Sequence, residues 1–341
     1  MIRIAAAGGG TGGHLYPLLA ILETLSRMVE TKILFFAVKG KIDERVVKKE
    51  HPEYETISLN IRGLLRPLYH PKNIWRTAKL MDAILKVRKK LKEFKPDVVI
   101  LTGGYISGVV GLAAKSMKTS IYVHEQNVVP GLAVKTVAKY ARKIFVSFEK
   151  TRSLLGEWKN KTLVTGCPVR EPDNNEAVPL KDFILVLGGS LGSDKINQLM
   201  EEVYRKLPHM FFVHSTGSEE WSKKLSKFSN VAAYSYIENM SAFWKRAAMS
   251  ISRAGASTIG EMLYYGVPGI LIPWEDSAES HQLENALEAE RLGYAVVIRE
   301  KEVNAQKIVE AIDKVIKKGK IKKMKENPAL IISKEILGEI R

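Results

Sequence analysis

The residues with chemical potential fall in a few short segments. The first is Gly8-Gly9-Gly10-Thr11-Gly12-Gly13-His14, which follows an apolar run and precedes a helical pattern. Glycines there permit positive φ and close approach of a ligand, and a helix start offers unpaired N–H groups to an anion. His14 closes this turn, where the positive end of the helix dipole disfavours an imidazolium. A neutral imidazole is what a general base requires, although a histidine that only caps the turn would look the same. A second glycine turn is Gly103-Gly104-Tyr105-Ile106-Ser107-Gly108, and a third is Gly188-Gly189-Ser190-Leu191-Gly192. Any one of them is explained by a tight turn; three, each directly after a strand pattern, point to a shared crevice at the carboxyl edges of parallel sheets.

Two polar segments complete the set. His124-Glu125-Gln126-Asn127 follows an apolar run and suits a hydroxyl-rich ligand better than a core. No metal is expected there, because no other His or Cys arrives at ligand spacing. Ser252-Arg253-Ala254-Gly255-Ala256-Ser257-Thr258-Ile259-Gly260-Glu261 places small residues and hydroxyls at a helix start, a further anion site. Glu261 lies about one turn inside that helix, where a carboxylate can accept both hydroxyls of a ribose; an acid that merely stabilises the helix start is the plainer alternative. His214 and His281 stand alone and are expected to be structural or exposed.

Gly8, Gly10 and Gly13 also spell Gly-x-Gly-x-x-Gly, so a dinucleotide site has to be weighed. That fingerprint wants an acid at the end of the second strand to hold a ribose. Here the strand ends Val38-Lys39-Gly40, and the first carboxylate is Asp43. An NAD(P)-dependent oxidoreductase is therefore the weaker alternative, and no cofactor is expected.

The elements that would position these residues alternate. Strands are expected at Ile2–Ala6, Ile33–Val38, Val98–Thr102, Ile121–His124 and Ile144–Val146, with helices such as Tyr16–Val29 and Ile74–Lys92 between them. Residues 166–182, rich in Pro and Asn, read as a linker. Alternation then restarts with strands at Phe183–Leu187, Met210–His214, Met249–Ser252, Gly269–Ile272 and Ala295–Ile298. A length of 341 residues with 45% hydrophobic and 26% charged residues fits an α/β protein of two parallel-sheet domains, 1–165 and 183–323. The N-terminus reads as a first strand and not a signal peptide. With one cysteine, Cys167, and no apolar run near the roughly 18 residues that span a bilayer, the cytoplasm is the expected compartment.

A formal net charge of +16 asks for an anionic partner. Residues 61–95 hold eleven Lys and Arg against two acids, interleaved with Leu64, Leu65, Leu68, Tyr69 and Trp75. Helical spacing assigns Ile74, Thr77, Met81, Ile84 and Leu91 to the core face and leaves Trp75 outside it, near Lys79 and Lys86. An exposed aromatic among lysines suits an anionic membrane surface, with a solvated basic helix as the alternative. Nucleic acid is not expected, since no recognised binding module is present.

Taken together in this order and spacing, Gly9–His14, Gly103–Gly108, His124–Asn127, Pro168-Val169-Arg170, Gly188-Gly189-Ser190, Ile237 with Met240, and Arg253–Glu261 resemble the MurG family of undecaprenyl-diphospho-muramoylpentapeptide β-N-acetylglucosaminyltransferases. The resemblance spans essentially the whole chain. It implies a GT-B fold, two Rossmann-like domains facing a cleft, with a C-terminal helix within 324–341 packing back on the first. It implies UDP-N-acetylglucosamine as donor and polyprenyl-linked lipid I as acceptor, with the protein peripheral on the cytoplasmic face of the cell membrane. By that likeness Ile237 would lie near uracil, Glu261 on the ribose, Ser190, Ser257 and Thr258 near the phosphates, and Gln282 and Arg170 on the donor. Thr11, Gly12, Gly13, Tyr105 and Asn127 would line the acceptor side, with His14 or Glu125 as general base. Leu191, Cys167 and His281 depart from the family's commonest residues and bear on phosphate and sugar contacts. Another UDP-sugar-dependent lipid glycosyltransferase would share these features.

Overall fold

The computed structural model describes every residue except 64, 66–68, 118, 172–177, 179–181, 190–191, 276–280 and 341. Leu64, Leu68, Ser190, Leu191 and most of the expected linker thus lie outside the described residues. The chain divides into two compact units, Met1–Pro168 with Pro328–Arg341, and Val169–Asn327.

The first unit runs β1 (Ile2–Ala7), α1 (Gly12–Met28), β2 (Thr31–Val38), α2 (Ile42–Glu50), β3 (Glu55–Leu59), α3 (Asn73–Phe94), β4 (Val98–Leu101), α4 (Gly104–Ala114), β5 (Ser120–Glu125), α5 (Leu132–Ala138), β6 (Lys143–Val146), α6 (Glu149–Leu154) and β7 (Thr162–Val164). Its seven strands are ordered β3-β2-β1-β4-β5-β6-β7 and are parallel throughout. Strand alternation sends Ala5, Ala7, Leu34 and Phe36 to the face covered by α3, α4 and α5. It sends Ile4, Ala6, Ile33 and Phe35 to the face covered by α1 and by the last helix of the chain.

The second unit runs β8 (Ile184–Leu187), α7 (Asp194–Lys206), β9 (Phe212–Ser215), α8 (Glu219–Leu225), β10 (Val231–Tyr234), α9 (Met240–Arg246), β11 (Met249–Ser252), α10 (Ala256–Tyr265), β12 (Gly269–Leu271), α11 (His281–Arg291), β13 (Ala295–Val297) and α12 (Ala305–Lys318). Its parallel sheet is ordered β10-β9-β8-β11-β12-β13, with α7 and α12 packed on one face. The last helix, α13 (Pro328–Ile340), belongs to the first unit and packs beside α1.

In each sheet the strand order reverses once, at β1/β4 and at β8/β11. Connections leave these neighbouring strands in opposite directions, opening a crevice at their carboxyl ends where ligands of α/β folds bind. Gly8–Thr11 and Thr102–Gly103 sit at the first switch point, and Gly188, Gly189, Gly192, Ser193 and Arg253–Gly255 at the second.

Helix α3 corrects one expectation. Its buried stripe is Ala83, Val87, Leu91 and Phe94, with Leu80 and Ile84 partly buried. Ile74 (75% exposed), Thr77 and Met81 (55%) do not face the core; Ile74 and Met81 share the outer surface with Trp75 (77%) and Leu85 (63%). Both faces of α3 are apolar enough to pack, and the covered one is the one that meets α4.

Candidate active site

At the first switch point, α1 starts at Gly12, so Gly12, Gly13 and His14 form its first turn behind the exposed Thr11. His14 Nδ1 lies 3.0 Å from the Thr102 carbonyl and is also hydrogen-bonded to the Gln126 side-chain amide. Thr102 Oγ1 donates back to the His14 carbonyl at 2.7 Å. Gln126 is buried, and its Oε1 has no partner as placed. A proton on Nδ1 satisfies the Thr102 carbonyl, and a half-turn of the Gln126 amide brings Oε1 to the same proton. That tautomer puts the imidazole lone pair on Nε2. The second glycine turn makes room for the ring. A Cβ on Gly103 (φ +99°) would lie 2.8 Å from His14 Nδ1, and one on Gly104 (φ +73°) would lie 2.4 Å from the Gly9 carbonyl. Ser107 Oγ accepts from Gly103 N at 3.1 Å and fixes the turn.

Glu125 is buried at the end of β5, and its oxygens are engaged by three N–H groups. Oε1 accepts from Asn127 N at 2.9 Å and Asn127 Nδ2 at 3.1 Å, and Oε2 from Gly131 N at 2.8 Å. The carboxylate therefore shapes the 126–131 loop. His124 is buried against the Gly166 carbonyl at 3.1 Å, and burial pushes its pKa down to about 4. It stays neutral and structural at physiological pH. Tyr105 is half-buried beside Gly10 and Gly63, and burial, then the Asp43 charge, raises its phenol above the ordinary value.

Asp43 plays a part that the sequence did not disclose. It is buried on α2 and accepts from Val38 N at 2.6 Å and Gly10 N at 3.1 Å. The carboxylate that follows the second strand is thus spent on the glycine loop itself, which counts against a dinucleotide ribose there.

At the second switch point, Gly255 caps α10, and Ser257 and Thr258 lie half-buried in its first turn. Burial pushes the Glu261 carboxyl up to about 8, offset in part by the nearby Trp244 indole. Ile237 is buried, and Arg170 is half-buried with its carbonyl accepting from Ser241 Oγ at 2.8 Å. Gln282, the second residue of α11, accepts from Trp274 N at 3.0 Å through Oε1, which leaves its amide N–H groups as the donor end. Gly192 (φ +74°) lies so close to β9 that a Cβ would fall 2.1 Å from the Thr216 carbonyl. His214 is buried against the Tyr204 hydroxyl at 2.8 Å and is structural. Among the described residues no group of His, Cys, Asp and Glu could hold a metal ion.

Of the basic patch, Leu65 is half-buried and exchanges hydrogen bonds with Asn73, at 2.7 and 2.9 Å. Lys79 is exposed, and Lys86 pairs with Asp82 at 2.7 Å on the surface.

Two Rossmann-like α/β units with glycine turns at their switch points are the architecture of GT-B glycosyltransferases. Residues 4–146 match the glycosyltransferase family 28 N-terminal domain and residues 183–338 its C-terminal domain. The chain is 76% identical to the UDP-N-acetylglucosamine–N-acetylmuramyl-(pentapeptide) pyrophosphoryl-undecaprenol N-acetylglucosamine transferase of Thermotoga neapolitana and 71% identical to that of Thermotoga maritima, each over 100% of both chains. The crystal structure of Acinetobacter baumannii MurG superposes with a TM-score of 0.70 at 21% identity, covering 100% of this chain and 95% of the other. The chain belongs to the MurG family within glycosyltransferase family 28.

Proposed function

We infer that the protein is an inverting glycosyltransferase that moves N-acetylglucosamine from UDP-N-acetylglucosamine to lipid I, undecaprenyl-diphospho-MurNAc-pentapeptide, and so forms lipid II for peptidoglycan. The observation that carries this reading is end-to-end identity of 76% with a transferase of that name.

An α-linked donor and a β-linked product require attack from the face opposite the leaving UDP. The pinned tautomer of His14 supports giving it the proton of the acceptor's C4 hydroxyl, taken on Nε2. Glu125, with its oxygens on three loop N–H groups, is then the positioning residue that sets Asn127. Thr11, Gly12, Gly13 and Tyr105 complete the acceptor side. On the donor side the base packs by Ile237 and the ribose hydroxyls meet Glu261. Ser190, Ser257 and Thr258 serve the phosphates, Arg170 helps hold the donor, and Gln282 offers its N–H groups to the sugar. Charge developing on UDP is met by preorganised N–H groups where α7 and α10 begin.

The reading extends to location. No helix among the described residues is long and apolar enough to cross a membrane. Ile74, Ala78, Met81 and Leu85 recur along one exposed stripe of α3, with Trp75 beside them and Lys79, Lys86, Arg88 and Lys89 exposed around it. An apolar stripe rimmed by cations suits an anionic bilayer surface, with the protein peripheral on its cytoplasmic face. Calorimetric titration with UDP-N-acetylglucosamine, UDP-glucose and NADPH tests the donor: selective binding of the first, lost in Glu261→Ala, is expected. Binding of NADPH without any UDP-sugar would overturn the reading.

A further inference from the structure

Arg299 and Glu300 follow β13 at the carboxyl edge of the second sheet. Glu300 Oε1 lies 2.6 Å from Arg253 Nη2 and 3.7 Å from Lys195 Nζ, and Lys195 Nζ also donates to the Glu300 carbonyl at 3.1 Å. Both partners of the Arg253–Glu300 pair have side chains only 11% exposed. Arg253 reaches two further groups: Nη2 donates to Ser193 Oγ at 3.0 Å, and Nη1 to the Ile272 carbonyl at 3.3 Å. Arg299 grips Glu275 with two prongs, at 3.2 and 2.8 Å. Together with Arg253, these two consecutive residues tie together the loops after β8, β11, β12 and β13.

Ser193 is the N-cap of α7, and Arg253 stands two residues before Gly255, the N-cap of α10. These are the two helix starts assigned above to the leaving diphosphate. An arginine whose charge is cancelled by a buried glutamate adds little net attraction for an anion. What it adds is a rigid fork that fixes one loop against another. We propose that Arg253 and Glu300 are positioning residues for the donor diphosphate, locking the start of α7 to the start of α10, with Arg299–Glu275 bracing the loop after β12.

The proposal rests on the donor reading, and the test separates the two. Affinities of UDP and of uridine are measured by competition for the full-length protein and for Glu300→Gln and Arg253→Lys. If the diphosphate is positioned by the pair, both variants lose on the order of tenfold in UDP affinity while uridine stays within about twofold. Donor KM rises with them, and the acceptor KM does not. A purely electrostatic role gives opposite signs: Glu300→Gln, which uncovers the Arg253 cation, would bind UDP more tightly. That result, or equal loss for UDP and uridine, overturns the proposal. A wild-type protein that binds UDP no better than uridine would instead remove the donor assignment and the proposal with it. If Glu300→Gln does not fold, Arg253→Lys alone carries the test, since it keeps the charge but cannot span three acceptors.

Discussion

His14 and Glu125 are both able to take a proton in principle, and their hydrogen bonds separate them. His14 is held through Nδ1, which directs its lone pair outward from the ring on Nε2. Glu125 has three N–H donors on its two oxygens. His14→Ala should therefore lower kcat by about a hundredfold or more with little change in donor KM. Glu125→Gln should act mainly on stability, at about 1–3 kcal/mol, because an amide cannot accept at both ends and a buried donor is left unpaired. Steady-state kinetics and thermal melts of the two variants check this; a larger kcat loss for Glu125→Gln would exchange the roles. Glu261 carries a pH signature. Its carboxyl is pushed up to about 8 by burial, so at pH 6.5 most of it is protonated and cannot accept both ribose hydroxyls. Uridine affinity should rise severalfold from pH 6.5 to 8.5, and Glu261→Gln should flatten the profile. His14 was legible because its residue type and place at a helix start are sequence properties. Thr102 was not, because it contributes a backbone carbonyl, and neither was Asp43, whose partners are N–H groups of residues with no side-chain chemistry.

At the scale of elements, the strands that the sequence concealed are Glu55–Leu59, Thr162–Val164 and Val231–Tyr234, all at sheet edges. Central strands such as Val98–Leu101 are covered on both faces and read as continuous apolar runs. An edge strand such as Glu-Thr-Ile-Ser-Leu is partly open to solvent and keeps polar residues that blur the pattern. Helix α3 shows the complementary failure. Its two apolar stripes each fit the helical period, and nothing local says which one α4 will cover. The stripe left outside is Ile74, Ala78, Met81 and Leu85, with Trp75 adjoining. Replacing Trp75 and Met81 by Glu should cut flotation with vesicles rich in anionic lipid by about tenfold or more, as apolar area is lost and two anions are added. Turnover of a short-chain acceptor in solution should hold. Binding that ignores both the variant and the anionic lipid content would remove α3 from the membrane.

For the whole molecule, the alternation of strands and helices and the restart after residue 182 make two parallel-sheet units readable in the sequence. The return of α13 to the first unit depends on tertiary pairing. Tyr122 from β5, Lys143 from β6 and Arg142 from the segment between α5 and β6 converge on Glu339, at 3.0, 2.8 and 2.5 Å respectively. Burial opposes the charged form of Glu339, but hydrogen bonds from Lys143, Arg142 and Tyr122 outweigh it and bring its pKa down to about 2. A depressed carboxylate adds stability above its unfolded value of about 4.3 and loses it as pH falls through about 2. Glu339→Gln should lower Tm at pH 7 by about 2–4 °C, equivalent to about 1 kcal/mol for a partly exposed cluster, and the gap should close near pH 2. A gap independent of pH would assign the effect to packing.

The central claim is tested most directly by incubating the protein with UDP-N-acetylglucosamine labelled in the sugar and a polyprenyl-diphospho-MurNAc-pentapeptide acceptor, then determining the product and its anomeric configuration. The account predicts one labelled β-linked N-acetylglucosamine per acceptor, stoichiometric UDP release and near loss of turnover in His14→Ala. An α-linked product, or UDP release without transfer to that acceptor, would contradict it.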